Sequence, residues 1–274
     1  MEKALLERAA QAIAQADALV IGAGAGMGVD SGLPDFRGSQ GFWRAYPPYK
    51  KLGLSFSNLA NPMWFKRDPT LAWGFYGHRQ NLYRSTVPHE GFAILKRWSE
   101  RIPTFAFTSN VDGQFQAAGF EPAAICEVHG SIHWVQCSAP CHDGIYAADD
   151  VKVEVDPDSF RAVGPLPTCE RCGALLRPNI LMFGDGGFVS DRSHKQERAY
   201  QAFLGRHAQG RVVVIEMGAG TAVPTVRWES ERIQERGATL IRINPRESKG
   251  PEGTLSLKAG ALEALQGILR QLGG

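Results

Sequence analysis

Ala18-Leu-Val-Ile21 runs directly into Gly22-Ala-Gly-Ala-Gly-Met-Gly28. A short, unbroken apolar run that ends in glycines is the pattern of a strand buried on both faces, as in a parallel sheet. The glycines let backbone N–H groups approach an anion closely, so such a turn can seat a pyrophosphate. Working outward, Glu2 to Ala16 carries Leu5, Leu6 and Ile13 at helical spacing, and Asp17 separates this helix from the strand. Further apolar runs follow at Phe105–Phe107, Ile125–Val128, Val212–Ile215 and Leu240–Ile243. Helical stretches at Gly91–Arg101, Thr225–Arg236 and Ala261–Leu272 lie between and after them. Strands alternating with helices predict an α/β fold, a Rossmann-like parallel sheet.

Composition narrows the function. The chain has 274 residues, 43% hydrophobic and 21% charged, which excludes a disordered chain. Its 30 Lys+Arg against 28 Asp+Glu leave a net charge of +2, with no electrostatic case for nucleic acid. No apolar run approaches the ~18 residues of a membrane span. Met1-Glu2-Lys3-Ala4 lacks a signal-peptide layout, so a cytoplasmic protein is expected. Two segments break the strand–helix rhythm: Gly38 to Tyr83, rich in aromatics and proline, and Cys137 to Cys172. They predict a small zinc-binding and helical module, residues 39–85 with 135–179. The dinucleotide-binding domain is then 1–38 with 86–134 and 180–274. Asp68-Pro69 marks a helix start, an N-cap followed by proline in the first turn.

The glycine loop does not belong to a dehydrogenase. G-x-G-x-x-G fails in each frame, because the sixth positions are Met27, Val29 and Ser31. Arg44 to Lys51, where an acidic ribose ligand is expected, holds no Asp or Glu. The loop continues instead as Asp30-Ser-Gly-Leu-Pro-Asp-Phe-Arg37. Gly24 to Arg37 closely resembles the cofactor loop of the sirtuins, the NAD-dependent protein deacylases. Gly28 stands where that family commonly has serine. The resemblance implies that Gly24, Ala25, Gly26, Asp35, Phe36 and Arg37 bind NAD, Arg37 on the phosphates and Phe36 over the reacting face. Thr108-Ser-Asn-Val-Asp112 resembles the segment that holds the nicotinamide carboxamide with Asn110 and Asp112. An amide with a carboxylate suits a group that both donates and accepts. Ser109 replaces the usual glutamine. Glu127-Val-His-Gly-Ser131 places His129 at a strand end, where open α/β sheets bind ligands. It matches the family's general base. Gly218, Gly220 and Asn244 match the second glycine turn and the Asn-bearing strand end on the adenosine side, with Lys258 and Ala259 flanking adenine.

Cysteine spacing carries a separate signal. Cys137-x3-Cys141 and Cys169-x2-Cys172 offer two close pairs of thiolates, enough to close a tetrahedral structural zinc site. Cys126 reads as a buried strand residue.

On the substrate side, Arg177-Pro-Asn-Ile-Leu-Met-Phe-Gly-Asp185 resembles the sirtuin segment beside the acyl-lysine peptide. Ile180, Leu181, Phe183 and Gly184 fall at the matching positions, where an added peptide strand would pair. Tyr76 and Arg79 share one helix face. They read either as a packed Tyr and a solvated Arg, or as the Tyr-x-x-Arg of sirtuins that remove succinyl or malonyl groups. The resemblance implies acyl transfer from a protein lysine to ADP-ribose with release of nicotinamide. ADP-ribosyl transfer, NAD hydrolysis and a silent zinc-ribbon binding module are the rival functions.

Overall fold

The structure, a computed structural model, describes residues 3–35 and 38–273. In chain order its strands are β1 (Ala18–Ala23), β2 (Thr104–Thr108), β3 (Ile125–Glu127), β4 (Gly130–Cys137), β5 (Ile145–Ala147), β6 (Glu154–Val155), β7 (Ala162–Val163), β8 (Leu176–Ile180), β9 (Val212–Met217), β10 (Thr239–Ile243) and β11 (Leu255–Leu257). Six of them form one sheet in the order β11-β10-β9-β1-β2-β3, parallel throughout. Every residue of β1 is buried, which explains its unbroken apolar run. The helices Lys3–Ala14, Glu90–Ser99 and Ala261–Gln271 cover one face. Asp191–Arg206 and Thr225–Gln234 cover the other. The chain winds from β1 toward β3, then returns to β9 on the opposite side of β1 and winds to β11. That reversal between β1 and β9 opens a crevice at the carboxyl ends of the strands.

The predicted strands and helices are all present, with ends displaced by a few residues. The first helix stops at Ala14 rather than Ala16, and the predicted Gly91–Arg101 helix runs Glu90–Ser99. There His89 is the cap, its Nδ1 accepting the Gly91 N–H at 3.0 Å. The edge strand β11 was not expected from sequence. Three residues between Gly253 and Gly260 give too short a pattern to read, and pairing with β10 makes it a strand.

A second core lies beside the sheet, built around the helix Pro69–Ser85. Asp68 Oδ1 accepts the Leu71 N–H at 3.1 Å, so this helix starts where the Asp-Pro pair predicts. Trp73, Phe75 and Tyr76 on it are buried completely. The antiparallel sheet β5-β4-β8 and the hairpin β6–β7 pack nearby. The hairpin is fastened to the N-cap of this helix and to the short helix Pro47–Lys51. Arg161 pairs with both oxygens of Asp68 at 2.9 Å, and Tyr49 Oη donates to the Phe160 carbonyl at 2.9 Å. Gly74 meets the same turn directly: a Cβ there would fall on the Phe160 carbonyl oxygen and 2.8 Å from Arg161 Cα.

Gly74→Ala should therefore force helix and hairpin apart. We expect a loss of about 1–3 kcal/mol, the usual cost of overpacking. Thermal denaturation checks this, and an unchanged melting temperature would show that the contact yields freely.

Candidate active site

The crevice at the switch point is a cavity of about 720 Å³. Its floor is two glycine turns pressed together. A Cβ on Gly24 would lie 2.7 Å from Ala219 Cα, and one on Gly26 would lie 2.7 Å from Gly218 Cα. Gly218 has φ +62°, and a Cβ there would strike the Gly26–Met27 peptide. Only backbone fits where the turns cross, so main-chain dipoles face the cavity without side chains in the way. Gly28 is not part of the lining; a Cβ there would sit 3.1 Å from Cδ1 of Leu33, which is. Asn244 Nδ2 donates to the Ala219 carbonyl at 3.0 Å and holds the second turn to the end of β10. At the mouth Arg246 pairs with Asp35 at 3.1 Å, bridging the two loops.

His129 leaves the end of β3 and lines the cavity. Its carbonyl accepts the Leu181 N–H at 2.9 Å, which ties it to the exit of β8. Nε2 lies 3.4 Å from Thr225 Oγ1, and the ring also bonds the Ser109 backbone. Burial holds the imidazole below its usual range, against the Ser109 bond, which favours the charged form. The ring is therefore a neutral acceptor at neutral pH. Asn110 Nδ2 donates to the Gly24 carbonyl at 3.0 Å, joining the β2 loop to the first glycine turn. Asp112 Oδ1 accepts the Gln114 N–H at 3.0 Å, and its carbonyl accepts from His133 Nε2 at 2.9 Å. Burial pushes the Asp112 carboxyl up to about 6, with the Glu127 charge adding to the effect.

The opposite end of the cavity is aromatic. Tyr76, Arg79 and Tyr83 reach it from one helix, and Phe56 from another. Arg79 is only 5% exposed, so it is not a solvated surface arginine. Tyr76 Oη is buried with no hydrogen-bond partner among the described residues.

Most residues picked out from sequence converge here. Gly24, Ala25, Gly26, Asp35, Ser109, Asn110, Asp112, His129, Gly218, Gly220, Asn244, Tyr76, Arg79, Ile180, Leu181 and Phe183 all line the cavity. Gly184, Lys258 and Ala259 do not. Gly184 makes the turn after Phe183 with φ +68°, Lys258 is exposed, and Ala259 is packed into the sheet core. Gly260 and Ala261, at the start of the last helix, reach the cavity instead. Phe36 and Arg37 lie outside the described residues. The stretch expected to pair with a peptide has its donors engaged within the chain: Leu181 N–H with His129 O, Met182 N–H with Asp185, and Phe183 N–H with Ala60 O. These three N–H groups are therefore not open to an added strand. Sequence reasoning missed Tyr83, Phe56 and Thr225. Extending the Tyr76–Arg79 face by one turn finds Tyr83; no local pattern marks the other two.

The four paired cysteines meet away from the cavity lining. Their sulfurs all lie within 4.8 Å of one another, with Cys137–Cys172 at 3.6 Å and Cys141–Cys169 at 3.8 Å. A tetrahedron of Zn–S bonds near 2.3 Å has edges of about 3.8 Å. These separations fit a zinc site and are far too long for disulfides. His142 Nε2 lies 3.8 Å from Cys169 Sγ, outside the set of four.

The chain matches the family model described as "Sir2 family" over residues 24–203. It is 34% identical over 230 residues to an NAD-dependent protein deacylase of Aquifex aeolicus, covering 82% of each chain. It is 31% identical over 273 residues to NAD-dependent protein deacylase 1 of Archaeoglobus fulgidus, covering 97% of each. Among solved structures, a Sir2 homologue in complex with NAD superposes with a TM-score of 0.70 at 27% identity, covering 97% of this chain and 93% of that one. No helix among the described residues is long and apolar enough to cross a membrane.

The cysteine geometry makes a direct prediction. Purified protein should carry about one equivalent of zinc, and a chelator that removes it should lower the melting temperature. Well under one equivalent, or an unchanged melting temperature after its removal, would take the zinc out of the fold.

Proposed function

The chain belongs to the Sir2 family, and on that premise we propose that it is an NAD-dependent protein-lysine deacylase. The observation that carries this reading is the single cavity in which a neutral imidazole, a side-chain-free glycine floor and a buried aromatic pocket face one another. At about 720 Å³ it lies within the ~300–1,000 Å³ range of ligand sites. Gly24, Ala25, Gly26, Gly218 and Gly220 would hold the pyrophosphate on backbone groups, Asp35, Phe36 and Arg37 would continue that loop, and Asn244 would serve the adenosine side. When bound, NAD supplies a ribosyl carbon with nicotinamide as leaving group, so that the acyl group ends on ADP-ribose. Zinc on Cys137, Cys141, Cys169 and Cys172 would act as a closed structural cross-link. Reduced thiols suit a cytoplasmic setting.

The residues of the chain divide the work by chemistry. Asn110 offers an amide and Asp112 a carboxylate to the carboxamide, a matched set of donors and acceptors. Asp112 accepts from the carboxamide N–H most strongly when it is ionised. His129 takes a proton from a ribose hydroxyl, and burial keeps it in the basic form that this needs. Ile180, Leu181 and Phe183 present an apolar edge to the peptide. Tyr76 and Arg79 favour an acidic acyl group, succinyl or malonyl: the guanidinium pairs with the distal carboxylate, and the orphaned Tyr76 hydroxyl gains an acceptor.

Incubation with NAD and a panel of acyl-lysine peptides, read by mass, tests the reading. O-acyl-ADP-ribose and free lysine are expected, with succinyl turned over in preference to acetyl. Free ADP-ribose alone would mean NAD hydrolysis, ADP-ribose on protein would mean transfer, and no nicotinamide release would mean a silent binding module. Replacing His129 with Ala should lower kcat by at least ~100-fold, the usual scale of general-base catalysis; full activity in the variant contradicts the assigned role.

The pH dependence follows from the same groups. His129 has to be neutral and Asp112 binds best ionised, so protonation disables the first and weakens the second. kcat/KM should therefore fall on acidification, with Asp112 entering near pH 6 and His129 titrating below the ordinary imidazole range. An acid limb centred well above 6.5 would mean that another group controls the rate.

A further inference from the structure

The helix Pro69–Ser85 carries a third polar side chain on the face of Tyr76 and Arg79. Tyr83 follows Arg79 by one turn and Tyr76 by two, so the three form one row. All three are buried and line the main cavity. Arg79 Nε and Nη2 both donate to Tyr83 Oη, at 3.0 and 2.8 Å. A single phenol oxygen thus takes both donors along one edge of the guanidinium. The rings of Phe75 and Tyr83 lie 5.2 and 5.3 Å from the guanidinium carbon. Edge and faces together fix the plane of a side chain that is otherwise rich in rotamers.

The phenol that orients Arg79 has its own proton left over. With two bonds accepted, Tyr83 Oη can only donate, and it donates to no group among the described residues. Tyr76 Oη has no hydrogen-bond partner among the described residues. Two phenol protons therefore stand beside one oriented cation in a buried wall. Buried donors are normally paired, so the cradle calls for a ligand rich in acceptors. A carboxylate, acceptor-only and with about four lone-pair sites, is the complementary group. Asp112 is the protein carboxylate that faces Tyr83, and no hydrogen bond joins them.

We propose that Tyr83 is a specificity-determining residue, which completes with Tyr76 and Arg79 a three-point cradle for the distal carboxylate of an acidic acyl-lysine. The proposal rests on the acidic-acyl reading above and adds to it the residue that aims the guanidinium. Chain length is part of the consequence. A guanidinium held at one edge cannot follow a carboxylate inward or outward, so one dicarboxylic chain length fits best.

The test compares kcat and KM for succinyl-lysine and acetyl-lysine forms of one peptide, with wild type and Tyr83→Phe. The substitution keeps the ring and removes the oxygen that accepts from Arg79. The succinyl-to-acetyl ratio of kcat/KM should fall by ~10-fold or more, the scale of a hydrogen bond to a charged group, mainly through a higher KM for succinyl. Tyr83→His, which returns a ring acceptor, should recover part of the ratio and also serves if the Phe variant does not fold. Melting temperatures of the variants separate loss of fold from loss of specificity. If wild type prefers succinyl and folded variants keep that ratio, Tyr83 has no such role and the acidic-acyl reading survives. If the two substrates lose rate in parallel, its role is structural only and the proposal is overturned. Wild type with no preference for succinyl overturns both.

Discussion

The two glycine turns that cross beneath the cavity constrain everything above them. Gly24 and Gly26 lie against Gly218 and Ala219 so closely that no Cβ can enter at the crossing. The contact closes the gap where the sheet reverses between β1 and β9, and it leaves main-chain groups as the cavity floor. The walls are positioned from this floor by single hydrogen bonds. Asn110 reaches back to the Gly24 carbonyl, and Asn244 reaches to Ala219. Loops after β1, β2, β9 and β10 thereby act as one surface. A side chain at any crossing glycine would separate them and widen the space that the imidazole has to span.

Burial then gives the polar groups of this surface different characters. The same low-dielectric surroundings that keep His129 neutral push the Asp112 carboxyl toward neutrality, because burial disfavours charge of either sign. An imidazole kept uncharged in this way is free to take up a proton. Asp112 stays usable because the Gln114 N–H and the nearby Arg79 charge both favour its ionised form. Arg79 itself remains charged in a pocket of rings, its edge held by Tyr83 and its face by aromatic quadrupoles.

The second core supplies the other half of the cavity. Its long helix carries Tyr76, Arg79 and Tyr83 toward the cavity, and Gly74 and Gly77 toward the hairpin. Asp68–Arg161 fastens that hairpin to the start of the helix, and Tyr49–Phe160 fastens it to the short helix Pro47–Lys51. The segments between the first cysteine pair and the second thus do more than connect zinc ligands. They brace the helix that lines the aromatic end.

The sequence by itself determined the parallel sheet, the four-cysteine cluster and many of the residues that line the cavity. Each of these is written in short-range patterns: unbroken apolar runs, cysteine pairs, glycine turns at strand ends. It also located the helix that begins at Asp68-Pro69 and the side-chain row that starts at Tyr76. The tertiary structure alone decided the rest. β11 became a strand only because β10 offered it an edge. Leu33 packs where a side chain at position 28 would stand, which no local pattern announces. Lys258 turned to solvent and Ala259 into the core, leaving Gly260 and Ala261 at the cavity. Phe56 and Thr225 joined the site from elements far away in the chain. Spacing along a chain records which residues share a face; which faces come together is set by packing, and packing is not local.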